Sequence, residues 1–210
     1  LDSTLRHIAV CGNIGVGKTS LTEKLAKHYG WRPLFESVDK NPYLEDFYGN
    51  MSRWAFNLQV YFLNSRFRQM LEIQSSKVTT VQDRTIYEDA YVFAANLYES
   101  GYIPERDYAS YLDIFNSMID LIDPPDLLIY LKADIPKLIS QIQKRGRAYE
   151  DAMRIDYLKN LNTRYNQWIS NYKESRLLII DMNKLDFVER REDFAFIVEK
   201  IELELHSLFQ

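Results

Sequence analysis

The densest chemical signal in this 210-residue chain lies near its start. Gly12-Asn13-Ile14-Gly15-Val16-Gly17-Lys18-Thr19 fits the pattern G-x-x-x-x-G-K-[ST] of a phosphate-binding loop. Gly12, Gly15 and Gly17 are three of seven glycines in the whole chain. They let backbone N–H groups turn inward around phosphate oxygens, and a helix starting behind them adds partial positive charge. Lys18 is then expected to reach the β- and γ-phosphates, and the Thr19 hydroxyl to ligate Mg²⁺. The alternative is a ligand-free glycine turn, against which motif, context and glycine clustering agree. A nucleoside triphosphate site is therefore expected. The motif leaves open whether the phosphoryl group goes to water, a small molecule or a protein.

Further candidates follow the expected strands. Glu36 ends the second, where a carboxylate can accept or orient the proton of an attacking hydroxyl; a surface acid at a strand end is the alternative. Asp83-Arg84 follows the third. Asp83 could hold Mg²⁺, directly or through water, and Arg84 could neutralise charge on the transferred phosphoryl group. A structural salt bridge or a helix-start acid is the other reading. Gln59, Phe62 and Arg66 share a helix face at i, i+3 and i+7, as do Asp89 and Phe93 on the next helix at i, i+4. Rings that stack and polar groups that read an edge would suit a flat heteroaromatic base. Two core phenylalanines beside an ordinary ion pair would give the same pattern. Lys144-Arg145-Gly146-Arg147 suits a lid over phosphates, or a solvated charge run. His7, His28 and His206 neighbour no nucleophile or metal cluster and read as structural. Cys11 reads as a small buried hydrophobe.

The elements that must position these groups alternate between strand and helix. Strands are expected at His7–Cys11, Pro33–Phe35, Val78–Val81, Leu127–Leu131 and Leu177–Ile180. Helices are expected at Thr19–Tyr29, Met51 to about Ser75, Thr85 to about Ser100 with a capping box at Thr85 and Glu88, Glu105–Ile122, Ile135–Lys144, Asp151–Tyr172 and Arg190–Leu208. Such alternation implies the α/β class, a parallel sheet covered on both faces. Ligands of such sheets sit beyond the carboxyl ends of the strands, so Gly12, Glu36, Asp83 and Asp181 are expected to converge on one edge.

Composition limits the function further. Apolar types make up 46% and aromatics 14%, which excludes a disordered chain. The length fits a single domain. A net charge of −4 argues against nucleic acid as the main partner. With no run of ~18 apolar residues, no membrane span is expected. The lone cysteine excludes an intrachain disulfide or a cysteine-built zinc site and points to a reducing, cytoplasmic compartment.

Together the motifs resemble those of the deoxynucleoside kinase family, in its deoxycytidine, deoxyguanosine and deoxyadenosine kinase branch, as a bacterial-type member. The resemblance runs from about Ile8 to the C-terminus. The loop Gly12–Thr19 shares the family's Gly-Asn-Ile opening. Glu36-Ser37-Val38 is similar to the Glu-Pro-Val segment that carries the general base. Trp54 to Gln59 is similar to a Trp-x-Phe-x-x-Gln helix, and Asp83-Arg84-Thr85 to a Glu-Arg-Ser triplet. Tyr91 to Glu99 is similar to the helix whose phenylalanine, here Phe93, stacks on the base. Arg145-Gly146-Arg147 is similar to the lid.

The resemblance implies a P-loop kinase three-layer sandwich with a five-stranded parallel sheet and a lid at about 141–152. It implies transfer of the ATP γ-phosphoryl group to the 5′-hydroxyl of a 2′-deoxynucleoside. Glu36 would be the base, with Arg84, Lys18, Arg145 and Arg147 at the reacting groups. Thr19 and Asp83 would place Mg²⁺, Asp83 through water because it is one methylene shorter than Glu. Gln59 would bind the base edge beside Phe62, Tyr48 and Glu150 the 3′-hydroxyl, and Asp186-Phe187 the adenine of ATP. Arg66 donates and Asp89 accepts, so the pair can read N7 and the exocyclic amino group of adenine. That leans to a purine deoxynucleoside, with deoxycytidine or broad specificity as the alternative. A homodimer through helices 51–75 and 104–122 is implied. Two rivals remain: a nucleoside monophosphate kinase, whose acceptor site must bind a phosphate, and a non-enzymatic ATP-binding module.

Overall fold

A computed structural model describes residues 5–35, 41–147 and 154–208. Within them β1 (His7–Gly12), β2 (Arg32–Leu34), β3 (Thr80–Asp83), β4 (Leu127–Lys132) and β5 (Arg176–Asp181) form one parallel sheet in the order β2-β3-β1-β4-β5. The unbroken apolarity of β1 and β4 follows from burial on both faces. Ala9, Cys11, Leu128 and Tyr130 point into one core, and Ile8, Val10, Leu127, Ile129 and Leu131 into the other. β2 lies at the edge, where the missing N–H of Pro33 costs no ladder bond.

The helices are α1 (Lys18–Tyr29), α2 (Leu44–Gly49), α3 (Met51–Ser75), α4 (Ile86–Glu88), α5 (Ala95–Glu99), α6 (Glu105–Ile119), α7 (Ile135–Arg145), α8 (Ile155–Ser170) and α9 (Arg191–Leu208). Helices α1, α7 and α9 cover one face of the sheet. Helices α3 to α6 cover the other, while α8 reaches both cores through Leu158 on one side and Leu161 and Tyr165 on the other. The expected three layers are present.

Differences from the sequence pattern are local. Helix α6 ends at Ile119, three residues early, in a turn closed by Leu121 N to Met118 O and Ile122 N to Ile119 O. Helix α7 runs one residue further, to Arg145, where Gly146 at φ 64° ends it. The six-residue α2 is too short to show a period. The stretch expected as one helix from Thr85 is α-helical at both ends but π-helical over Asp89–Ala94. Its capping box is formed: Glu88 N donates to Thr85 Oγ1 at 3.3 Å and Thr85 N to Glu88 Oε2 at 2.8 Å. A π turn is uncommon and often marks a functional site; this one carries both Asp89 and Phe93.

His7 sits at the start of the central strand, buried, with Nε2 3.0 Å from Gln82 Oε1. Burial lowers its pKa from 6.5 to about 4, against the opposing pulls of Gln82 and Asp126. The unfolded chain therefore binds this proton more readily than the fold. Stability is full above pH 6.5 and is lost as pH falls towards about 4. This one group should account for about 3 kcal/mol over that window. A His7→Asn variant should show a flatter stability–pH curve there by urea denaturation; an unchanged slope would mean that His7 already ionises in the fold.

Candidate active site

The site grows from the turn after β1. Gly12 has φ 143°, and a Cβ there would meet Leu131 O at 2.6 Å. Gly15 has φ 86°, and its Cβ would meet Ile142 Cγ1 at 2.7 Å and Leu138 O at 2.9 Å. These positions need glycine for backbone reasons and because the loop is pressed against β4 and α7. Asn13 fixes it from the far side: Nδ2 donates to Leu158 O at 3.2 Å and to Asn162 Oδ1 at 3.1 Å, while Oδ1 accepts from Ile14 N. Lys18 opens α1 and its Nζ donates to Asn13 O at 3.0 Å.

Strand order brings the next groups in. β3 lies beside β1, and Val10 pairs with Asp83 in register. Thr19 Oγ1 accordingly donates to Asp83 Oδ2 at 2.5 Å. Asp83 Oδ1 is buried and accepts no hydrogen bond among the described residues. A hydroxyl beside a carboxylate with an unmet oxygen fits Mg²⁺, which takes hard oxygen ligands and keeps waters and phosphates in its shell. Among the described residues no three His, Cys, Asp or Glu side chains cluster as a metal cage.

Arg84 is the one non-glycine residue among those described with positive φ, 74°. Such strain costs roughly 1–3 kcal/mol and collects at functional sites. The conformation turns the guanidinium over the Phe93 ring, 4.2 Å from its centroid. Behind it lies Glu88, fully buried, whose Oε1 accepts from Tyr165 Oη at 2.6 Å and Gly12 N at 3.3 Å. Burial pushes the Glu88 carboxyl above its ordinary value, opposed by the charges of Arg84 and Lys18 and by the Tyr165 hydrogen bond. One carboxylate thus ties the phosphate loop, the Thr85 turn and α8 together. The sequence signalled its capping role but not the other two contacts.

These groups open on a cleft of about 450 Å³. One end carries Lys18, Thr19, Asp83, Arg84, Arg145 and Arg147. The other is walled by Phe47, Leu58, Phe62 and Phe93, with Tyr48, Gln59 and Asp89 among them. Gln59 Oε1 is buried and meets no donor among the described residues. Arg66 is 1% exposed and lies behind Asp89, its Nε 3.5 Å from Asp89 Oδ2. So Phe62 and Phe93 belong both to the core and to the cleft wall, and the Arg66–Asp89 pair presents its acid to the cavity.

The whole chain can now be set beside known proteins. The family model described as deoxynucleoside kinase matches residues 8–206. The chain belongs to the deoxynucleoside kinase family. It is 37% identical over 202 residues to the deoxyadenosine/deoxycytidine kinase of Bacillus subtilis, covering 95% of this chain and 93% of that one. It is 39% identical over 210 residues to a deoxyguanosine kinase of Lactobacillus johnsonii, covering 96% and 93%. A deoxyadenosine kinase from M. mycoides, solved with the products dCMP and a flexible dCDP bound, superposes with a TM-score of 0.83 at 28% identity, over 93% of this chain and 98% of that one.

This deoxynucleoside kinase does not bring every expected residue into the cleft. Glu36 and Glu150 lie outside the described residues, as do residues 148–153 of the expected lid. Arg145 and Arg147 line the cleft, the former from the last turn of α7. Phe187 is 3% exposed and packs in the core beneath the loop, where a Cβ on Gly17 would meet its ring at 3.2 Å. Asp186 is held among its near neighbours: its N–H donates to Asp193 Oδ2 and its Oδ1 accepts from Glu189 N. Asp181 ends β5 on the same sheet edge but does not join the site, because β5 lies two strands beyond β1 on the side away from β3. The convergence expected for it is corrected on that ground. Tyr157, at the start of α8, lines the cleft without any signal in the sequence.

Proposed function

We infer that this enzyme transfers the γ-phosphoryl group of ATP to the 5′-hydroxyl of a purine 2′-deoxynucleoside. The observation that carries the reading is the two-ended cleft. Lys18 and Thr19 mark its phosphate end, while two phenylalanine rings and the unmet amide oxygen of Gln59 mark an end suited to a base.

In this mechanism Glu36 takes the 5′-hydroxyl proton as the new O–P bond forms and the bond to the ADP oxygen breaks. Arg84 orients that hydroxyl. Lys18, Arg145 and Arg147 stabilise charge on the moving phosphoryl group. The loop from Gly12 through Asn13, Ile14, Gly15, Val16 and Gly17 holds the phosphates with its N–H groups. Mg²⁺, held by Thr19 and Asp83, would neutralise phosphate charge. Tyr48 and Glu150 hold the 3′-hydroxyl. Positioning and electrostatics supply most of the rate. Residues 1–210 act as one domain with a lid at about 141–152, in the cytoplasm. They act as a homodimer through α3 and α6, a reading supported by exposed Leu71 on α3 and Ile114 on α6. No described helix is long and apolar enough to cross a membrane.

The base preference rests on Asp89 and Arg66. Relatives named for deoxyadenosine, deoxycytidine and deoxyguanosine lie at similar identity, so the pair is expected to choose among bases with an exocyclic amino group. Initial rates with MgATP and deoxyadenosine, deoxyguanosine, deoxycytidine or thymidine, with deoxyadenosine monophosphate alongside, test the reading. Turnover of a purine deoxynucleoside is expected to be fastest, and turnover of the monophosphate alone would overturn it. Arg66→Gln keeps a hydrogen-bond donor beside the buried Asp89 but removes its countercharge. It should lower kcat/KM for the preferred base by about 10- to 100-fold, the worth of a charge-assisted hydrogen bond, and leave the KM for ATP in place. An equal loss for every nucleoside would remove Arg66 from base reading.

A further inference from the structure

Helix α3 presents Gln59, Phe62 and Arg66 along one stripe, and the next position on it is Gln69. Gln69 makes three contacts, two of which cross the fold. Its Oε1 accepts from Arg66 Nη1 at 3.3 Å and from Gln82 Nε2 at 2.9 Å. Its Nε2 donates to the backbone carbonyl of Phe35 at 2.8 Å. Gln82 is fully buried on β3, and its Oε1 is in turn met by His7 Nε2 at 3.0 Å. The amide therefore has one orientation that satisfies all its neighbours: oxygen toward two donors, nitrogen toward the carbonyl.

The place of that carbonyl gives the contact its meaning. The ladder between β2 and β3 ends at the pair Leu34–Gln82. Beyond it Phe35 has no ladder partner among the described residues, and it already lines the cleft. Gln69 takes over where the ladder stops. It fastens the end of β2 to the helix that carries the base-reading stripe, and the chain passes from Phe35 directly into Glu36.

We propose that Gln69 is a positioning residue that couples base recognition to the transfer step. Through Arg66 it holds Asp89 in register with the base, and through Phe35 it holds the strand end that presents Glu36. The proposal rests on the function inferred for the cleft. A correctly bound base then draws on the same side chain that sets the acceptor geometry, so discrimination appears in kcat as well as in KM.

Two substitutions separate the two arms. Gln69→Leu removes both. It should lower kcat/KM for the best deoxynucleoside roughly 10- to 100-fold, the scale of a small misplacement of reacting groups, and flatten the ranking of the four bases. Gln69→Glu keeps acceptor oxygens for Arg66 and Gln82 but sets a carboxylate against the Phe35 carbonyl. It should keep the base ranking and the nucleoside KM while kcat falls, which is how an interaction made in the transition state reads out. It also leaves the buried donors satisfied, so it serves where the leucine variant fails to fold. The KM for ATP should stay at the parent value in both. Parent-like kcat and ranking in both variants would overturn the proposal alone. Equal losses toward ATP and nucleoside would also overturn it, as a general loosening of the fold. A parent enzyme that phosphorylates no deoxynucleoside would overturn the reading of the cleft and this inference with it.

Discussion

Replacing Glu36 by glutamine should lower kcat by about 10²- to 10⁴-fold, the usual contribution of a general base. Glu36 follows Phe35, which lines the cleft from the end of β2. β2, β3 and β1 are successive neighbours in the sheet. The chain therefore leaves β2 beside the Asp83-Arg84 turn and one strand from the phosphate loop. A glutamine keeps the size and a hydrogen-bonding oxygen and loses the basicity. Binding of the deoxynucleoside should survive, and the loss should appear in kcat. The pH profile gives a second readout. In the parent, kcat/KM should rise with pH as the free carboxyl loses its proton; in Glu36→Gln that limb should vanish. A variant with parental kcat, or with the same acidic limb, would remove Glu36 from the role.

Lys18→Met should lower kcat by about 10²- to 10³-fold, the scale of losing one preorganised charge-stabilising donor. The loop should keep its shape. Its curvature is set by the glycines, held between β4 and α7, and by Asn13 on α8. Methionine nearly matches the aliphatic stem of lysine and deletes the ammonium. One contact within the loop, from Lys18 Nζ to Asn13 O at 3.0 Å, is lost with it. The KM for the nucleoside, bound at the far end of the cleft, should change little. Steady-state rates at saturating MgATP decide it, and a near-normal kcat would confine Lys18 to holding the loop. The neighbouring Glu88 makes a second consequence visible. Its carboxyl is pushed up by burial and pulled down by Arg84 and Lys18; removing one of those charges should raise it further.

What the sequence determined by itself is what short spans of chain can encode. The phosphate loop is one motif with glycines where positive φ is needed. The cores of β1 and β4 are apolar runs, and α3 keeps one period from Met51 to Ser75 as expected. The capping box at Thr85 and Glu88 spans four residues and formed as its pattern implies. Each rests on backbone geometry or hydrogen bonds between near neighbours.

The tertiary structure decided the rest, because those outcomes depend on which strands lie side by side. Strand order carried Asp83 to Thr19 and left Asp181 outside the cleft. Helix packing placed Arg66 behind Asp89 rather than in the cavity, and the π turn set Asp89 and Phe93 on its wall. The contacts of Glu88 with Gly12 and Tyr165, and of Gln69 with Phe35 and Gln82, join residues far apart in the chain. A buried polar group must find its partner wherever the fold puts one, and that partner is written in no local pattern.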